Sequence, residues 1–454
     1  MRDMHMRDIV FVLILSLAQA NGQSSPDLRP SPQQVEWQDL EFGAIIHFGP
    51  NTFLDQEWGD GSADPKDFNP SQFDPEQWMA ALRDAGVKYV VFVAKHHDGF
   101  CLWPTGQTEY SVKSSPWENG KGDVVRRVEE AARKYGLKFG VYLSPWDRHE
   151  PRYSNASEYD KYYRDELDEL VQGYGNLEEF WLDGAGSEGH VYDFPRIIEE
   201  LRTYQPNTLV FADVGLFEYG DIRWVGNEEG VIPYENWNVI DRRGYLRWRP
   251  VEADTPLHKE HWFWHPKDEA TLKSVSELVS TYEQTVGRGG QLMLGIAPDR
   301  RGLLPEADVR RLKDLGAALR TRYSNNLVLK RAQATPGIEA LGIEAALDGD
   351  PDTFWSAPAD ARHAVLEVTF PKPITFDRAL TMEWLNDGQH VEHYSIDAWT
   401  KGKWITVVEG HALGHKKIDA FPSVTASRVR LNILSASGRI HIREFQLYSA
   451  GSER

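Results

Sequence analysis

The chain has 454 residues, 41% of them hydrophobic, so it can bury a sizeable core and is long enough for two or more domains. Its formal net charge of -19 argues against nucleic acid as a partner, because phosphate backbones would be repelled at long range. The single cysteine, Cys101, excludes an intramolecular disulfide framework.

The first residues of the chain have the pattern of a secretory signal. Two arginines precede an apolar stretch over 9–18, and the small residues of "AQA" (18–20) suit a cleavage site. We therefore leave residues 1–20 out of the fold and expect an exported protein, periplasmic or secreted. No later stretch reaches the ~20 apolar residues of a transmembrane helix, so we expect no membrane insertion.

Short apolar runs alternate with amphipathic helical patterns over residues 42–323. Eight runs are typical of buried strands: "FGAIIHFG" (42–49), "YVVFVAKHHDG" (89–99), "KFGVYLSPWD" (138–147), "LEEFWLDGA" (177–185), "TLVFADVG" (208–215), "IRWVGNE" (222–228), "HWFWH" (261–265) and "QLMLGIAP" (291–298). Helical patterns lie between most of them, as at 74–86, 124–136, 159–175 and 194–204. This α/β alternation predicts a (β/α)8 barrel over residues 21–326.

The pattern changes after residue 323, and 324–337 has the composition of a junction. Beyond it, short runs alternate polar and apolar residues without a helical stretch: "AVLEVTF" (364–370), "YSIDAWT" (394–400), "KWITVVEG" (403–410), "SRVRLNIL" (427–434) and "IHIREFQLY" (440–448). Period-two alternation of this kind predicts an antiparallel β-sandwich over residues 327–454.

Polar and aromatic side chains lie at the ends of several barrel strands. In a (β/α)8 barrel the catalytic groups lie at the C-terminal ends of the strands, where the loops converge. The residues in these positions are His47, His96, His97, Tyr142, Asp183, Glu228 and Trp262. We expect them to share one rim, and the 16 tryptophans of the chain, several of them near strand ends, favour a carbohydrate ligand.

Asp183 ends the apolar run at 177–185, where a buried charge is costly unless it has a use. One interpretation is an N-cap for the next helix. The other pairs it with Glu228, because glycoside hydrolysis needs one carboxylate to attack the anomeric carbon and one acid to protonate the leaving oxygen.

His96, His97 and Asp98 could bind a metal, but neighbours on a strand point to opposite faces and no second ligand cluster accompanies them. We favour neutral imidazoles that hydrogen-bond to hydroxyl groups. Glu57 and Trp58, in the loop after the first strand, pair a carboxylate with a flat aromatic face, which suits a sugar ring. Packing within the loop is the alternative for Trp58.

The motifs "HFGPNTF", "EW" (57–58), "KHHDGFCLWPT", "YLSPWD", "FWLDG" and "GGQLMLGIAP" together resemble glycoside hydrolase family 29, the α-L-fucosidases. The match runs in order over residues 35–325. The resemblance implies a retaining exo-hydrolase on a (β/α)8 barrel, with a fucosylated oligosaccharide or glycoconjugate as substrate. The chain departs from the family at Gly295, where asparagine is usual.

The resemblance also implies individual roles. Asp183 corresponds to the nucleophile, and Glu228, in "GNE", to the general acid/base of one subgroup, with Glu229 as its adjacent rival. That subgroup favours α-1,3/1,4-linked fucose on N-acetylglucosamine. Contacts with fucose carry over to His47, Glu57, Trp58, His96, His97, Tyr142 and Trp262. Double displacement by two carboxylates requires no metal or organic cofactor.

Two other functions stay open from the sequence: a fucosidase of broader linkage range, and a fucose-binding protein without catalysis. For the C-terminal part, "LDGDPDTFW" (347–355) and the strands after it resemble the discoidin, or coagulation factor 5/8 type C, sandwich. Asp348, Asp350 and Asp352 could hold a structural calcium ion or form a plain acidic turn. We favour a module that braces the barrel over one that binds glycan.

Overall fold

The computed structural model describes residues 28–212, 219–242, 245–329, 333–334 and 342–449. The predicted signal at 1–20 lies outside these residues. Among the described helices, none is long and apolar enough to cross a membrane.

Eight parallel strands close into a barrel. They are β1 (Phe42–Ile46), β2 (Tyr89–Lys95), β3 (Lys138–Leu143), β4 (Glu179–Leu182), β5 (Leu209–Ala212), β6 (Ile222–Trp224), β7 (Val251–Pro256) and β8 (Gln291–Ile296). Each strand pairs with its neighbours in chain order, and β8 closes the ring on β1, with Phe42 opposite Leu292. The predicted barrel is confirmed.

The prediction of a seventh strand at 261–265 is wrong. The strand occupies Val251–Pro256, and 261–265 belongs to the loop that follows it. The aromatic run "HWFWH" has the apolar pattern of a buried strand but forms a loop. The run "VEADTP" lacks that pattern although it forms a strand, because Glu252 and Asp254 face a polar barrel lumen. Upstream, a hairpin pairs 239–242 with 245–248.

Helices cover the outside of the barrel. They are Pro75–Ala85, Val124–Lys134, Ala156–Gly173, Phe194–Tyr204, Val275–Thr285 and Glu306–Tyr323, with the shorter Pro32–Gln38 and Pro50–Leu54. The predicted helical patterns at 74–86, 124–136, 159–175 and 194–204 are confirmed. Several helices begin at a side-chain cap, as where Asp74 accepts the N–H groups of Glu76 and Gln77. In the described chain, no helix follows β5 or β6.

The helix Pro32–Gln38 lies at the N-terminal end of the barrel. Its buried Trp37 donates from Nε1 to Glu179 Oε2, 3.1 Å away, at the start of β4. Burial raises the pKa of Glu179 well above its usual range and raises the pKa of Glu252 to about 7. The lumen therefore holds carboxyl and aromatic groups beside the aliphatic side chains that usually dominate such barrels.

The C-terminal part is built from antiparallel strands, as predicted. They are β9 (Gln333–Ala334), β10 (Trp355–Ser356), β11 (Ala364–Glu383), β12 (Val391–Thr400), β13 (Lys403–Gly410), β14 (Lys417–Ala436) and β15 (His441–Tyr448). Strand β14 pairs with both β11 and β12, and the end of β11 also pairs with β15. The pairing of β11 with β14 shifts register twice along its length. Such irregularities let a strand pass from one layer of a sandwich to the other.

The sandwich packs against the N-terminal end of the barrel. Arg443 in β15 donates to Asp39 Oδ1 at 2.5 Å, and Lys416 pairs with Glu41, immediately before β1. The C-terminal ends of the strands, where the predicted rim lies, are at the opposite end of the barrel. This placement is the one expected of a bracing module, and the boundary at 326 stays a prediction.

Candidate active site

A cavity opens at the C-terminal end of the barrel. All nine residues predicted to act on or bind the substrate line it, namely His47, Glu57, Trp58, His96, His97, Tyr142, Asp183, Glu228 and Trp262. Ile45, Trp181, Ala185, Trp224 and Asp254 complete the wall. Strand ends and the loops after them supply these groups, so the closed barrel gathers residues that are distant in the sequence.

Asp183 follows β4 and is surrounded by hydrogen-bond donors. Tyr142 donates its hydroxyl to Oδ2 at 3.0 Å, and Ala185 donates its N–H to Oδ1 at 2.9 Å. His97 Nε2 lies 3.4 Å from Oδ2. Burial alone would raise the pKa of Asp183, but His97, Ala185 and Tyr142 hold it below the usual value. The cavity therefore contains an ionised carboxylate.

The alternative role of Asp183 as a helix N-cap is not realised. The next helix begins at Phe194, and Asp193 is its N-cap, accepting the N–H of Arg196. Asp183 bonds instead to the N–H two residues on, which closes a local turn.

Two of the three histidines in the cavity are held neutral. Burial lowers the pKa of His47 to about 3, against the opposing charge of Asp183, and lowers the pKa of His96 well below its usual range. The His96 and His97 rings lie 4.2 Å apart, and His97 Nδ1 is 2.7 Å from the Ser144 hydroxyl. Neutral imidazoles can both donate to and accept from sugar hydroxyls.

Glu57 anchors the loop at 261–265 across the cavity. Its carboxylate accepts the N–H of Trp262 at 3.0 Å, the N–H of Phe263 at 3.2 Å and His265 Nε2 at 2.7 Å. Burial lowers the pKa of His265, but Glu57 and Asp55 outweigh it and raise that pKa above the usual value. Glu57 thus positions Trp262, which the sequence wrongly placed in a strand.

Ligand atoms of Glu57, His261 and His265 lie within 4.8 Å of one another, and within the described ranges this is the one group of three His, Cys, Asp or Glu side chains close enough to share a metal ion. The Glu57 carboxylate already accepts three hydrogen bonds. Among the described residues, His96, His97 and Asp98 form no such group, so the structure gives no support to the interpretation of these three residues as metal ligands.

Aromatic rings shape the mouth and wall of the cavity. Trp58 is 52% exposed, and its ring meets that of His97 edge-on at 5.3 Å. The Trp262 ring lies 5.3 Å from His47 and directly over Gly295, where an added Cβ would stand 2.5 Å from Trp262 Cζ3. The departure from asparagine at Gly295 therefore leaves room for this tryptophan.

The two candidate acids after β6 differ in position. Glu228 and Glu229 are both exposed, but only Glu228 lines the cavity, and the N–H of Glu229 donates to Asn227 Oδ1 at 3.0 Å. Sequence reasoning missed Asp254, Trp224 and Trp181, which also line the cavity. Carboxylates two residues apart between apolar residues, as in "VEADTP", were the available signal for a strand with one polar face.

Comparison with known proteins identifies the family. The α-L-fucosidase family model matches residues 62–323. "Alpha-L-fucosidase 1" of Arabidopsis thaliana is 35% identical over 453 residues, covering 92% of this chain and 88% of that protein. The chain belongs to the α-L-fucosidase family. This enzyme is thus a glycoside hydrolase that acts on fucosylated glycans, and the F5/8 type C domain model matches its residues 332–445.

Solved structures of fucosidases share the fold over most of this chain. A glycoside hydrolase 29 family member from an unknown rumen bacterium is 33% identical with a TM-score of 0.81, covering 94% of this chain and 78% of that chain. A glycoside hydrolase family 29 fucosidase of Ruminococcus gnavus in complex with fucose is 27% identical with a TM-score of 0.85, covering 94% of this chain and 96% of that chain.

A cluster of oxygen atoms lies in the discoidin-like domain. The Thr353 hydroxyl lies 3.0 Å from Ala345 O, 3.1 Å from Asp350 O and 3.1 Å from Asp348 Oδ2. A hydroxyl has a single proton, so it cannot donate to all of these atoms at once. Oε1 of Glu444 is buried without a partner, and burial with the Asp348 charge raises the pKa of Glu444 to about 7. The side-chain oxygens of Asp350 and Asp348 also accept N–H groups of the same turn.

Proposed function

We propose that this fucosidase is a retaining exo-enzyme that works by double displacement, with Asp183 as nucleophile and Glu228 as general acid/base. The supporting observation is the environment of Asp183, a carboxylate kept ionised by its donors inside the cavity that Glu228 also lines. Two carboxyl groups in different surroundings can divide the roles of nucleophile and acid.

In the first step, the Asp183 carboxylate attacks C1 of the fucosyl residue and forms a C1–O bond as the glycosidic bond breaks. Glu228 gives its proton to the departing oxygen. In the second step, Glu228 takes a proton from water, and the water oxygen displaces Asp183 at C1. Two inversions leave the released fucose in its original configuration. No metal or organic cofactor takes part in this proposal.

The other predicted residues bind the sugar in this scheme. His47 and His96, both neutral, exchange hydrogen bonds with its hydroxyl groups, and His97 contacts both His96 and Asp183. Trp58 and Trp262 present aromatic faces to the apolar side of the ring. Tyr142 both orients Asp183 and lines the cavity.

For linkage, we propose selectivity for terminal α-1,3/1,4-linked fucose. The support is the resemblance of the "GNE" motif at Glu228 to one subgroup, together with the place of Glu228 at the cavity wall. A broader linkage range is the alternative. Equal release of fucose from a Lewis-type trisaccharide and from an α-1,2-fucosylated trisaccharide would favour the broader enzyme.

The nucleophile is tested with Asp183→Gly and sodium azide. Without its carboxylate the variant should release almost no fucose from an aryl α-L-fucoside, and azide entering the vacated space should restore turnover and give β-fucosyl azide. Azide rescue with an α-configured product would contradict the assignment. Release of no fucose by wild type, with fucose still bound, would favour the non-catalytic binding protein.

The acid/base is tested with Glu228→Gln and its matched control Glu229→Gln. Glu228→Gln should lose far more activity on a Lewis-type trisaccharide than on an aryl fucoside with an acidic phenol, because a good leaving group needs little protonation. Glu229→Gln should stay near wild type on both substrates. The reverse pattern would move the role to Glu229.

We also propose that residues 1–20 direct export of the protein.

In the discoidin-like domain, we propose a structural calcium ion. The support is the set of oxygen atoms around Thr353, from Asp348 and two backbone carbonyls, together with the unpartnered Glu444 Oε1, whose carboxyl feels the Asp348 charge. Asp352 is not among these atoms. Isothermal titration with CaCl2 after chelation should give one site per chain, and Asp348→Asn should weaken it.

A further inference from the structure

We infer that Asp254 is a further substrate-contacting residue, which donates a hydrogen bond from its carboxylic acid to a hydroxyl group of the bound fucosyl residue. The inference rests on the proposed function of the cavity. Asp254 is outside the set of residues to which the sequence or the family resemblance assigned a role.

Asp254 faces the cavity from β7. It follows Glu252 by two residues, so both side chains extend from the same face of the strand into the lumen. Glu252 is buried deeper, where it accepts the Tyr89 hydroxyl at 3.0 Å and Trp181 Nε1 at 2.9 Å. Asp254 lines the cavity itself and is 5% exposed. It is thus placed to meet a ligand that enters between Asp183 and Glu228.

One oxygen of Asp254 is engaged and the other is free for a ligand. Oδ1 accepts Trp224 Nε1 at 2.6 Å. Over the part of the chain that the structure describes, no other residue bonds to Oδ2, and this atom is not among the buried polar atoms left without a partner. Because Asp254 lines the cavity and Trp224 occupies Oδ1, Oδ2 is the oxygen left to contact a ligand there.

The surroundings of Asp254 favour the neutral form of its carboxyl group. Burial raises the pKa of Asp254 well above its usual range; Trp224 opposes this shift, and the carboxyl groups of Glu252 and Glu228 add to it. Because Oδ1 accepts the hydrogen bond from the Trp224 N–H, the proton of the neutral acid belongs on Oδ2. A neutral acid can donate to a hydroxyl oxygen, which an ionised carboxylate cannot do.

The position of Asp254 also ties it to the acid/base. Trp224, which Asp254 holds, ends β6 and precedes Glu228 by four residues in the same loop connection. Trp224, Asp254 and Glu228 all line the cavity, and the Glu228 carboxyl is near enough to Asp254 to raise its pKa. A fucosyl hydroxyl bonded to Asp254 Oδ2 would therefore be held beside the group proposed to protonate the leaving oxygen.

The test compares Asp254→Asn with Asp254→Leu. Asparagine keeps an oxygen for Trp224 and offers an N–H to the cavity, whereas leucine has similar size and no polar atom. We expect kcat/KM on an aryl α-L-fucoside within about threefold of wild type for Asp254→Asn and a loss of about tenfold for Asp254→Leu, the value of one hydrogen bond. Circular dichroism establishes folding, and Asp254→Ala replaces the leucine variant should it not fold.

Two results would overturn the inference. Equal, large losses in both variants would mean that an ionised carboxylate is needed, and wild-type kcat/KM in both would mean that Asp254 touches no substrate. Titration of L-fucose by calorimetry gives the same comparison without turnover, so it tests Asp254 even if the proposed catalytic roles of Asp183 and Glu228 fail.

A substrate series locates the partner of Asp254. Aryl fucosides lacking the 2-, 3- or 4-hydroxyl are assayed with wild type and with Asp254→Leu. If Asp254 contacts a given hydroxyl, removing that hydroxyl should cost the leucine variant much less activity than it costs wild type. Removing either of the other two hydroxyls should cost both enzymes the same factor in kcat/KM. Additive losses for all three substrates would contradict the contact.

Discussion

Replacing Gly295 with alanine is expected to impair catalysis by displacing Trp262. A Cβ at position 295 in β8 would stand 2.5 Å from Cζ3 and 2.6 Å from Cε3 of the Trp262 indole, and 3.1 Å from the backbone Cα of Pro256. Ordinary contacts begin at 3.4 Å. The ring must therefore retreat by about 1 Å, because interiors are close-packed and the backbone of β7 cannot give way easily.

The size of the effect follows from what Trp262 does. Its ring lines the cavity 5.3 Å from His47 and stands over Gly295. A displacement of about 1 Å in a group that positions substrate costs on the order of 100-fold in rate, and overpacking costs about 1–3 kcal/mol of stability. We expect kcat/KM of Gly295→Ala to fall by roughly 10- to 100-fold while the protein stays folded.

The assay is steady-state hydrolysis of an aryl α-L-fucoside, with thermal unfolding in parallel. Gly173→Ala is the matched control, because Gly173 ends a helix and nothing lies within 4 Å of the added Cβ. Trp262→Leu removes the ring that clashes, so adding Gly295→Ala to it should cost little more. A folded Gly295→Ala enzyme with wild-type kcat/KM would refute the reasoning.

Three more outcomes follow from buried charges. Tyr142→Phe removes a donor from Asp183 and raises its pKa; since the ionised form is the nucleophile, the acid limb of the kcat/KM profile should move to higher pH. Lys95→Met removes the ammonium group that lies 2.5 Å from the buried Glu166 carboxylate. Because this leaves a buried charge without its partner, the free energy of unfolding should fall by about 3–5 kcal/mol. Chelation with EDTA should lower the unfolding temperature with kcat unchanged, and Glu444→Gln should reduce that response.

The first two of these outcomes each have a matched control variant. Tyr110→Phe, at a buried tyrosine that does not contact Asp183, should leave the pH profile in place. Lys134→Met breaks an exposed pair with Glu76 and should lower the free energy of unfolding far less than Lys95→Met does in chemical denaturation. An acid limb that moves to lower pH in Tyr142→Phe, a Lys95→Met loss no larger than that of Lys134→Met, or no response to EDTA would each contradict the corresponding argument.

The cavity was predictable from the sequence because its main groups follow apolar strands. His47, His96 and Asp183 come directly after runs that can only be buried, and parallel strands in a barrel present their ends at one rim. The nine predicted residues line one cavity for this reason. Their proposed chemical roles rest on the resemblance and on the contacts of Asp183.

Strand β7 and the contacts of Trp262 and Gly295 could not be predicted from the sequence. A search for hydrophobic periodicity finds a buried strand only where the interior is apolar. The lumen of this barrel accepts Glu252 and Asp254, so β7 lacks the apolar run by which the other strands are recognised. Trp262 was assigned to the cavity although its local structure was mistaken, because the loop that carries it is folded back by a residue far away in sequence, Glu57. The sequence shows only that Gly295 departs from asparagine; packing against Trp262 explains the departure.

We expect the ion pairs at the N-terminal end of the barrel to couple the unfolding of the two domains. Asp39 and Glu41 stand just before β1, and their cationic partners Arg443 and Lys416 belong to the sandwich. Melting of the sandwich would leave these carboxylates without counterions at the point where the first barrel strand starts. Both domains should therefore unfold in one cooperative transition. A barrel expressed without the sandwich should be less stable, while its cavity, at the opposite end of the barrel, should stay open to substrate.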